Sequence, residues 1–360
     1  MPLNLPDRER LVYQEGRAPA AHLDLLHAAG FRAAGAAQRL GVFDTLAEHG
    51  PQSAKGLAAR LRCDQRALTI LARVLVDFGY LTESVDDGTD AVWDNTPASA
   101  AFLSDGTPDT YALVFSFWQR VLFDHWDRLE ETVRSGTPAA DFYRWLEEHP
   151  DTLREFQTML TRQSRMLAPE LIDLVPVPAG PARLLDVGGG HAGYSVAFCR
   201  RHPQLRATVL DLAGALATGT QAIGEAGLVD RIVPYEWDIL SPEPIPGPPA
   251  DVVLLFNIVH GYRPEQNARL LRRVVAATAP GGTVALVEPV DDPAPAGSVS
   301  GDAFVKLFSL NLLHGQGGQA YPYGEIAGWL REVGLVDVRQ AALTASPNDR
   351  LILATRPVAG

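Results

Sequence analysis

From Pro181 to the end of the chain, short β-rich apolar runs alternate with helical stretches, and this alternation leaves few folds open. The runs are ARLLDV, RATVLDL, RIVPYEW, DVVLLFN and GTVALVEP. YSVAFCRRH and QNARLLRRVVAATA lie between them, and EIAGWLREVG follows the fifth. Runs without polar alternation belong to strands buried on both faces, and helices between them act as crossovers. The pattern predicts an α/β, doubly wound, Rossmann-like sheet. Two further runs, VDVRQAAL and RLILATRP, are joined only by TASPND. They should pair antiparallel, which makes a mostly parallel seven-stranded sheet with one antiparallel strand.

The first half of the chain reads as mostly helix. Between Ala20 and Gly50, Leu23, Leu26, Phe31, Leu40, Phe43 and Leu46 recur at mostly helical spacing. Small residues between them, among them Ala33, Ala34, Gly35, Ala36 and Ala37, allow close helix approach. Ser53 and Asp64 are placed to cap KGLAARLR and QRALTILARVLVDFG, and Gly79 to end the second helix. LTESV, a DDGTD turn and AVWDNT then form a hairpin, completing a winged helix-turn-helix. DNA reading by such a module needs a basic footprint. Residues 1–110 carry ten Lys and Arg against fifteen Asp and Glu, so dimerisation is preferred.

Residues 111–175 form a helical connecting segment rich in aromatics, including Phe115, Trp118, Trp126, Phe142, Tyr143, Trp145 and Phe156. They serve either as core or as the cap of a pocket for a flat substrate. The expected organisation is thus 1–110 dimerisation, 111–175 connection and substrate capping, and 176–360 the sheet domain. A net charge of −12 argues against nucleic acid or anionic membrane as partner. No stretch approaches eighteen uninterrupted apolar residues, so no membrane span is expected. The first residues lack an apolar run of signal length, and the only two cysteines, Cys63 and Cys199, are far apart, so a cytoplasmic setting is expected. No H-E-x-x-H, cysteine pair or acidic cluster points to a metal.

The chemistry sits at the strand ends. The first strand runs from Asp186 into Gly188, Gly189 and Gly190 and then directly into a helix, a turn that lets a nucleoside-like ligand approach the backbone. No P-loop lysine is present, which excludes the usual triphosphate cradle. Asp211 ends the second strand and is placed to accept both ribose hydroxyls; Asp238 follows the third and could take an adenine amino group. His260 follows the fourth strand and could remove a proton from a phenol or a similar acid, with Glu288 of the fifth strand holding its tautomer. His314 either faces a substrate or belongs to a turn, and His191 and His202 read as surface residues.

With these motifs in order, the sequence resembles the S-adenosylmethionine-dependent O-methyltransferases of the plant caffeate and bacterial polyketide type. LLDVGGGHAGYS is similar to their cofactor loop, VLDL to the ribose-acid strand, and LLFNIVHGYRPEQNARLLRRVVAATAPGGTVALVEPV to the catalytic-histidine segment. The resemblance implies S-adenosyl-L-methionine as cofactor, held at Gly188, Asp211, Asp238, Ile239 and Phe256, with Asp186 and Gly190 in the same loop region. It also implies His260 as base, a homodimer, and an aromatic small-molecule substrate of secondary metabolism. Methylation of ring carbon or nitrogen, and a non-methylating reaction, stay open. Gly261, Tyr262 and Ala320 depart from the family pattern: they stand where an acid, a tryptophan and a second acid are usual. Ala192 stands where glycine or another small residue is usual.

Overall fold

The computed structural model describes residues 6–85, 91–106, 110–292 and 299–358. The chain divides into two compact units, Met1–Asp124 and His125–Gly360.

In the first unit, helices α1 (Asp7–Gln14), α2 (Ala21–Arg39) and α3 (Val42–His49) precede the short strand β1 (Gln52–Ser53). Helices α4 (Ala54–Leu61) and α5 (Gln65–Asp77) follow, then strands β2 (Leu81–Val85) and β3 (Ala91–Asn95), and helices α6 (Pro97–Phe102) and α7 (Ala112–Arg120). The expected caps form: the Ser53 hydroxyl accepts the Gly56 N–H at 3.2 Å, and Asp64 accepts that of Ala67 at 2.8 Å. Gly79 ends α5 at φ +70°, a conformation that costs other residues more. β2 and β3 pair antiparallel from Leu81↔Asn95 to Val85↔Ala91, and β1 lies on the far side of β3. The expected turn at 86–90 lies outside the described residues. Phe43, Leu46, Leu57, Leu75 and Trp93 are 0–2% exposed and close the core of this winged-helix unit. The small-residue stripe of α2 does bring a helix close. A Cβ at Gly35 would lie 2.3 Å from the Gln119 side chain of α7.

The second unit opens with α8 (Leu129–Ser135), α9 (Phe142–Glu148) and α10 (Pro150–Leu174). The helices of 111–175 are therefore divided, α7 going with the first unit. Then follow β4 (Ala182–Val187), α11 (Gly193–Arg201), β5 (Leu205–Asp211), α12 (Ala213–Glu225), β6 (Ile232–Glu236), β7 (Ala250–Phe256), α13 (Pro264–Ala277) and β8 (Thr278–Pro289). The unit closes with α14 (Val299–Gly315), α15 (Tyr323–Glu332), β9 (Val336–Ala342) and β10 (Asp349–Thr355). Of the proline-rich loops, the one at 242–249 joins β6 to β7, while residues 293–296 of the other lie outside the described residues.

The seven strands lie in the order β6-β5-β4-β7-β8-β10-β9, parallel except for β10, which runs against both neighbours. Leu184, Val252 and Leu254 face Leu167, Leu171 and Phe198, while Val253, Leu255 and Leu286 face the side of Leu270, Leu271 and Leu330. Both faces are thus covered, which explains the unbroken apolar runs. The chain begins at the centre with β4, winds out to β6, and returns to β7 on the other side of β4. That reversal opens a crevice at the carboxyl ends of β4 and β7, where open α/β sheets bind ligands.

Candidate functional site

The turn after β4 is shaped by close approach. Gly188 has φ +74°, and a Cβ on it would lie 2.2 Å from Ile258 Cδ1 and 3.4 Å from Ile239 Cδ1. At Gly190 a Cβ would lie 2.8 Å from both Asp211 Oδ2 and the Ala215 Cβ. Any side chain here would fill the crevice or push the strand ends apart. Ala192 is fully buried at φ +55°, a conformation that costs a Cβ-bearing residue about 1–2 kcal/mol. Asn257, at φ +59°, makes the corresponding bend after β7, and asparagine tolerates this region better than most residues.

The expected site residues occupy different depths. Asp211 is half-buried at the tip of β5, accepting N–H groups from Gly190 (2.8 Å) and Leu212 (2.7 Å). Burial raises its pKa, and these two bonds oppose the rise. Asp238 is exposed and accepts the Leu240 N–H at 2.7 Å. The Trp237 N–H bonds the Asp211 carbonyl at 2.9 Å, which ties the two strand ends together. Ile239 is buried beside Gly188, and Phe256 is buried with its ring 4.8 Å from Tyr194, edge to face. Asp186 lies beneath the loop, 2% exposed, and takes hydrogen bonds from the Ser195 hydroxyl (2.7 Å) and backbone. The bare glycine turn, the Asp211 carboxylate and the open Asp238 suit a nucleoside carrying a ribose diol and an exocyclic amine.

Burial, chiefly, pushes Asp186 up to about 6, with Asp211 adding to the rise. The folded protein therefore binds this proton more tightly than the unfolded chain. The contribution to stability falls as pH rises from about 4 through 6, by about 3 kcal/mol in all. Asp186→Asn removes that titration. Urea unfolding should show the variant gaining about 2 kcal/mol relative to the parent between pH 4 and pH 7. A difference that does not change with pH would show the carboxylate to be ionised in the folded state throughout.

His260 lies in a 3-10 turn, Val259–Gly261, at the end of β7 and is 8% exposed. Its Nδ1 is 2.6 Å from Glu288 Oε2. The other oxygen of Glu288 accepts the N–H groups of Ile258 and Val259, each at 2.8 Å. Glu288 is fully buried and accepts all of these bonds, so His260 donates from Nδ1, and in the neutral form of this tautomer the lone pair is on Nε2. The expected pair is therefore assembled, by parallel registration of β7 with β8.

Other residues hold this turn that sequence reasoning missed. Asn267, fully buried on α13, donates to the carbonyls of Val259 (2.8 Å) and Tyr262 (3.1 Å), and the Tyr321 hydroxyl donates to Tyr262 at 2.7 Å. A Cβ at Gly318 would lie 2.0 Å from the His260 carbonyl. Only the Gly317-Gly318 pair was a sequence signal for such an approach. Asp349, 7% exposed at the start of β10 and held by the Ser346 hydroxyl at 2.6 Å, was also missed. Burial raises its pKa first, then nearby Glu288, while His260 lowers it. Near Asp238, Arg273 bonds the carbonyls of Ile239 and Ser241 and lies 4.9 Å from the Trp237 ring, fixing the Asp238 loop.

Three histidine expectations change. His314 sits in a helix rather than a turn. It is fully buried in α14, with Nδ1 bonded to the Thr132 hydroxyl and Nε2 donating to the His125 carbonyl, both at 2.8 Å. His191 is half-buried in the glycine loop, accepts the Gly193 N–H at 3.0 Å, and is driven by burial down to about 4. His202 is half-buried at the end of α11. Ala320 is buried, its N–H bonded to the Ser309 hydroxyl at 3.0 Å. Among the described residues, Glu288 is the carboxylate that hydrogen-bonds His260. No described helix is long and apolar enough to cross a membrane, and no described group of three His, Cys, Asp or Glu could hold a metal.

Residues 126–335 match an O-methyltransferase domain, and residues 25–105 an O-methyltransferase dimerisation domain. A 3-hydroxy-5-methyl-1-naphthoate 3-O-methyltransferase from Streptomyces sahachiroi is 31% identical over 322 residues, 89% of each chain. An aclacinomycin 10-hydroxylase from Streptomyces purpurascens is 33% identical over 176 residues, 47% of this chain and 44% of that one. Human N-acetylserotonin methyltransferase, solved in complex with S-adenosylmethionine, shares the fold at a TM-score of 0.75 and 22% identity, covering 99% of this chain and 100% of that one. Glycine turn, strand-end carboxylates and histidine-glutamate pair thus stand in a chain that belongs to the S-adenosylmethionine-dependent O-methyltransferase family, dimerisation domain included.

Proposed function

We propose that this protein, as a homodimer, methylates a hydroxyl of an aromatic or polyketide-like small molecule in secondary metabolism, with His260 as general base. The observation that carries the reading is the His260–Glu288 pair. A buried carboxylate, fixed by two backbone N–H groups, holds Nδ1–H and leaves Nε2 as an acceptor. S-adenosylmethionine, when bound, supplies an activated methyl group. Gly188 and Gly190 leave room for it, Asp211 would take the ribose hydroxyls, Asp238 the adenine amine, and Ile239 and Phe256 would pack against it. His260 Nε2 removes the acceptor's proton as attack proceeds. A phenol of pKa ~10 needs that help near neutral pH. The buried walls around His260 keep water from the proton transfer and favour a step in which charge disappears.

Calorimetric titration with S-adenosylmethionine and S-adenosylhomocysteine, beside Asp211→Ala, tests the cofactor half. Micromolar binding is expected, weakened at least ~10-fold by the substitution, because the variant loses a charged partner to two hydroxyls. Unchanged affinity would remove Asp211 from the site. Product mass tests the other half: a gain of one methyl on oxygen supports the reading, and its position settles the acceptor atom. The hydroxylase relative makes a product gaining oxygen the outcome that would replace methyl transfer.

A further inference from the structure

One face of α14 runs from His260 to a second histidine. Phe304, Phe308, Asn311 and Gly315 fall at i, i+4, i+7 and i+11 and so share a side of the helix. Phe308 sets its ring edge-on to His260 at 5.5 Å, and Phe304 stacks on Phe308 at 6.0 Å. Asn311 accepts the Trp126 indole N–H at 2.9 Å. At Gly315 a Cβ would lie 3.0 Å from His125 Nε2 and 2.8 Å from the Phe142 Cβ, so the stripe ends against the His125 ring.

His125 is 1% exposed, and its ring lies 4.9 Å from His314, 5.0 Å from Trp145 and 5.6 Å from Phe142. Neither of its ring nitrogens has a hydrogen-bond partner among the described residues, whereas both nitrogens of neighbouring His314 do. Burial in this aromatic surround, with His314 adding to it, pushes His125 down to about 4. The ring is therefore neutral near pH 7, with one N–H donor and one bare acceptor. Buried polar atoms are seldom left unpaired, and those that are call for a ligand or a bound water.

We propose that His125 is a specificity-determining residue whose ring nitrogens hydrogen-bond a second oxygen at the far end of the acceptor. The acceptor would then be a fused-ring aromatic with oxygen substituents at both ends. Seven residues separate Phe308 from Gly315, ~10 Å along the helix, which suits a fused system better than a single phenol. Phe308 sets a flat apolar ring beside His260, and Trp145 and Phe142 set theirs beside His125, surfaces against which fused aromatic rings pack well. This inference rests on the proposed function only in placing the methylated hydroxyl at His260.

Equilibrium binding in the presence of S-adenosylhomocysteine, read by calorimetry, tests it with two probes. These are 2-naphthol and naphthalene-2,6-diol, which adds a hydroxyl on the opposite ring. The parent protein should bind the diol ~10-fold more tightly, because a site built to pair a hydroxyl disfavours the analogue without it. His125→Phe keeps an aromatic ring and removes both nitrogens, so the preference should fall toward unity. His125→Gln keeps a donor and an acceptor and should restore part of it. Equal affinity for the two probes in the parent, binding of neither, or a preference that survives in His125→Phe would overturn the inference. Should the phenylalanine variant fail to fold, the parent comparison and His125→Gln still decide. Binding needs no turnover, so failure to methylate either probe would count against the proposed function and leave this test standing.

Discussion

His260→Ala is expected to lower turnover about 10²–10⁴-fold while leaving the S-adenosylmethionine Kd within about twofold. The asymmetry follows from geometry. His260 contributes its ring at the end of β7, while the glycine turn and Asp211 belong to β4 and β5 on the cofactor side of the crevice. Truncation removes the acceptor Nε2 but leaves Glu288 bonded to the backbone of Ile258 and Val259, so the turn should persist. Measuring kcat and calorimetric Kd on the same preparation checks both halves. Equal losses in the two would make His260 part of the cofactor wall, and the base would have to be sought elsewhere.

Glu288→Gln should cost as much, by a different route. The carboxylate accepts from three donors: two backbone N–H groups and His260 Nδ1. A carboxamide has one oxygen and one NH₂, so it cannot accept all three. If its oxygen stays with the backbone, its NH₂ faces Nδ1 and drives the proton to Nε2, turning the base into a donor. If it flips, two buried N–H groups lose their partner and meet another donor, costing about 1–3 kcal/mol each. The first outcome predicts a turnover loss of about 10²–10⁴-fold with the fold intact, and the second a marked fall in Tm. Steady-state rates beside thermal unfolding separate them. A variant with both parent-like rate and parent-like Tm would remove Glu288 from the mechanism.

Much of this was legible in sequence, because strand ends have a local signature. An apolar run that stops at Asp186 before three glycines, or at Asp211, or at Asn257 just ahead of His260, places those residues at the carboxyl edge whatever the rest of the chain does. The parallel rule then puts all such ends on one side of the sheet, so His260 and Glu288 could be paired from separate runs. Residues whose role depends on a neighbour far along the chain had no such signature. Asn267 looks like any polar residue in an amphipathic helix until α13 brings it under the His260 turn. Asp349 is an ordinary loop-to-strand acid until β10 inserts between β8 and β9 and carries it toward Glu288. Antiparallel pairing of the last two runs was expected, but where they would lie in the sheet was not readable.

The histidines mark the boundary most clearly. By itself the sequence determined the architecture, the glycine turn, the order of strand-end carboxylates and the position of His260, because periodicity and turn chemistry are local properties of consecutive residues. Only the tertiary structure decided that His314 is satisfied on both nitrogens while His125, beside it, has no hydrogen-bond partner for either among the described residues. Hydrogen-bond satisfaction in a buried cluster depends on which helices converge there, and α8, α9 and α14 meet from distant stretches of chain.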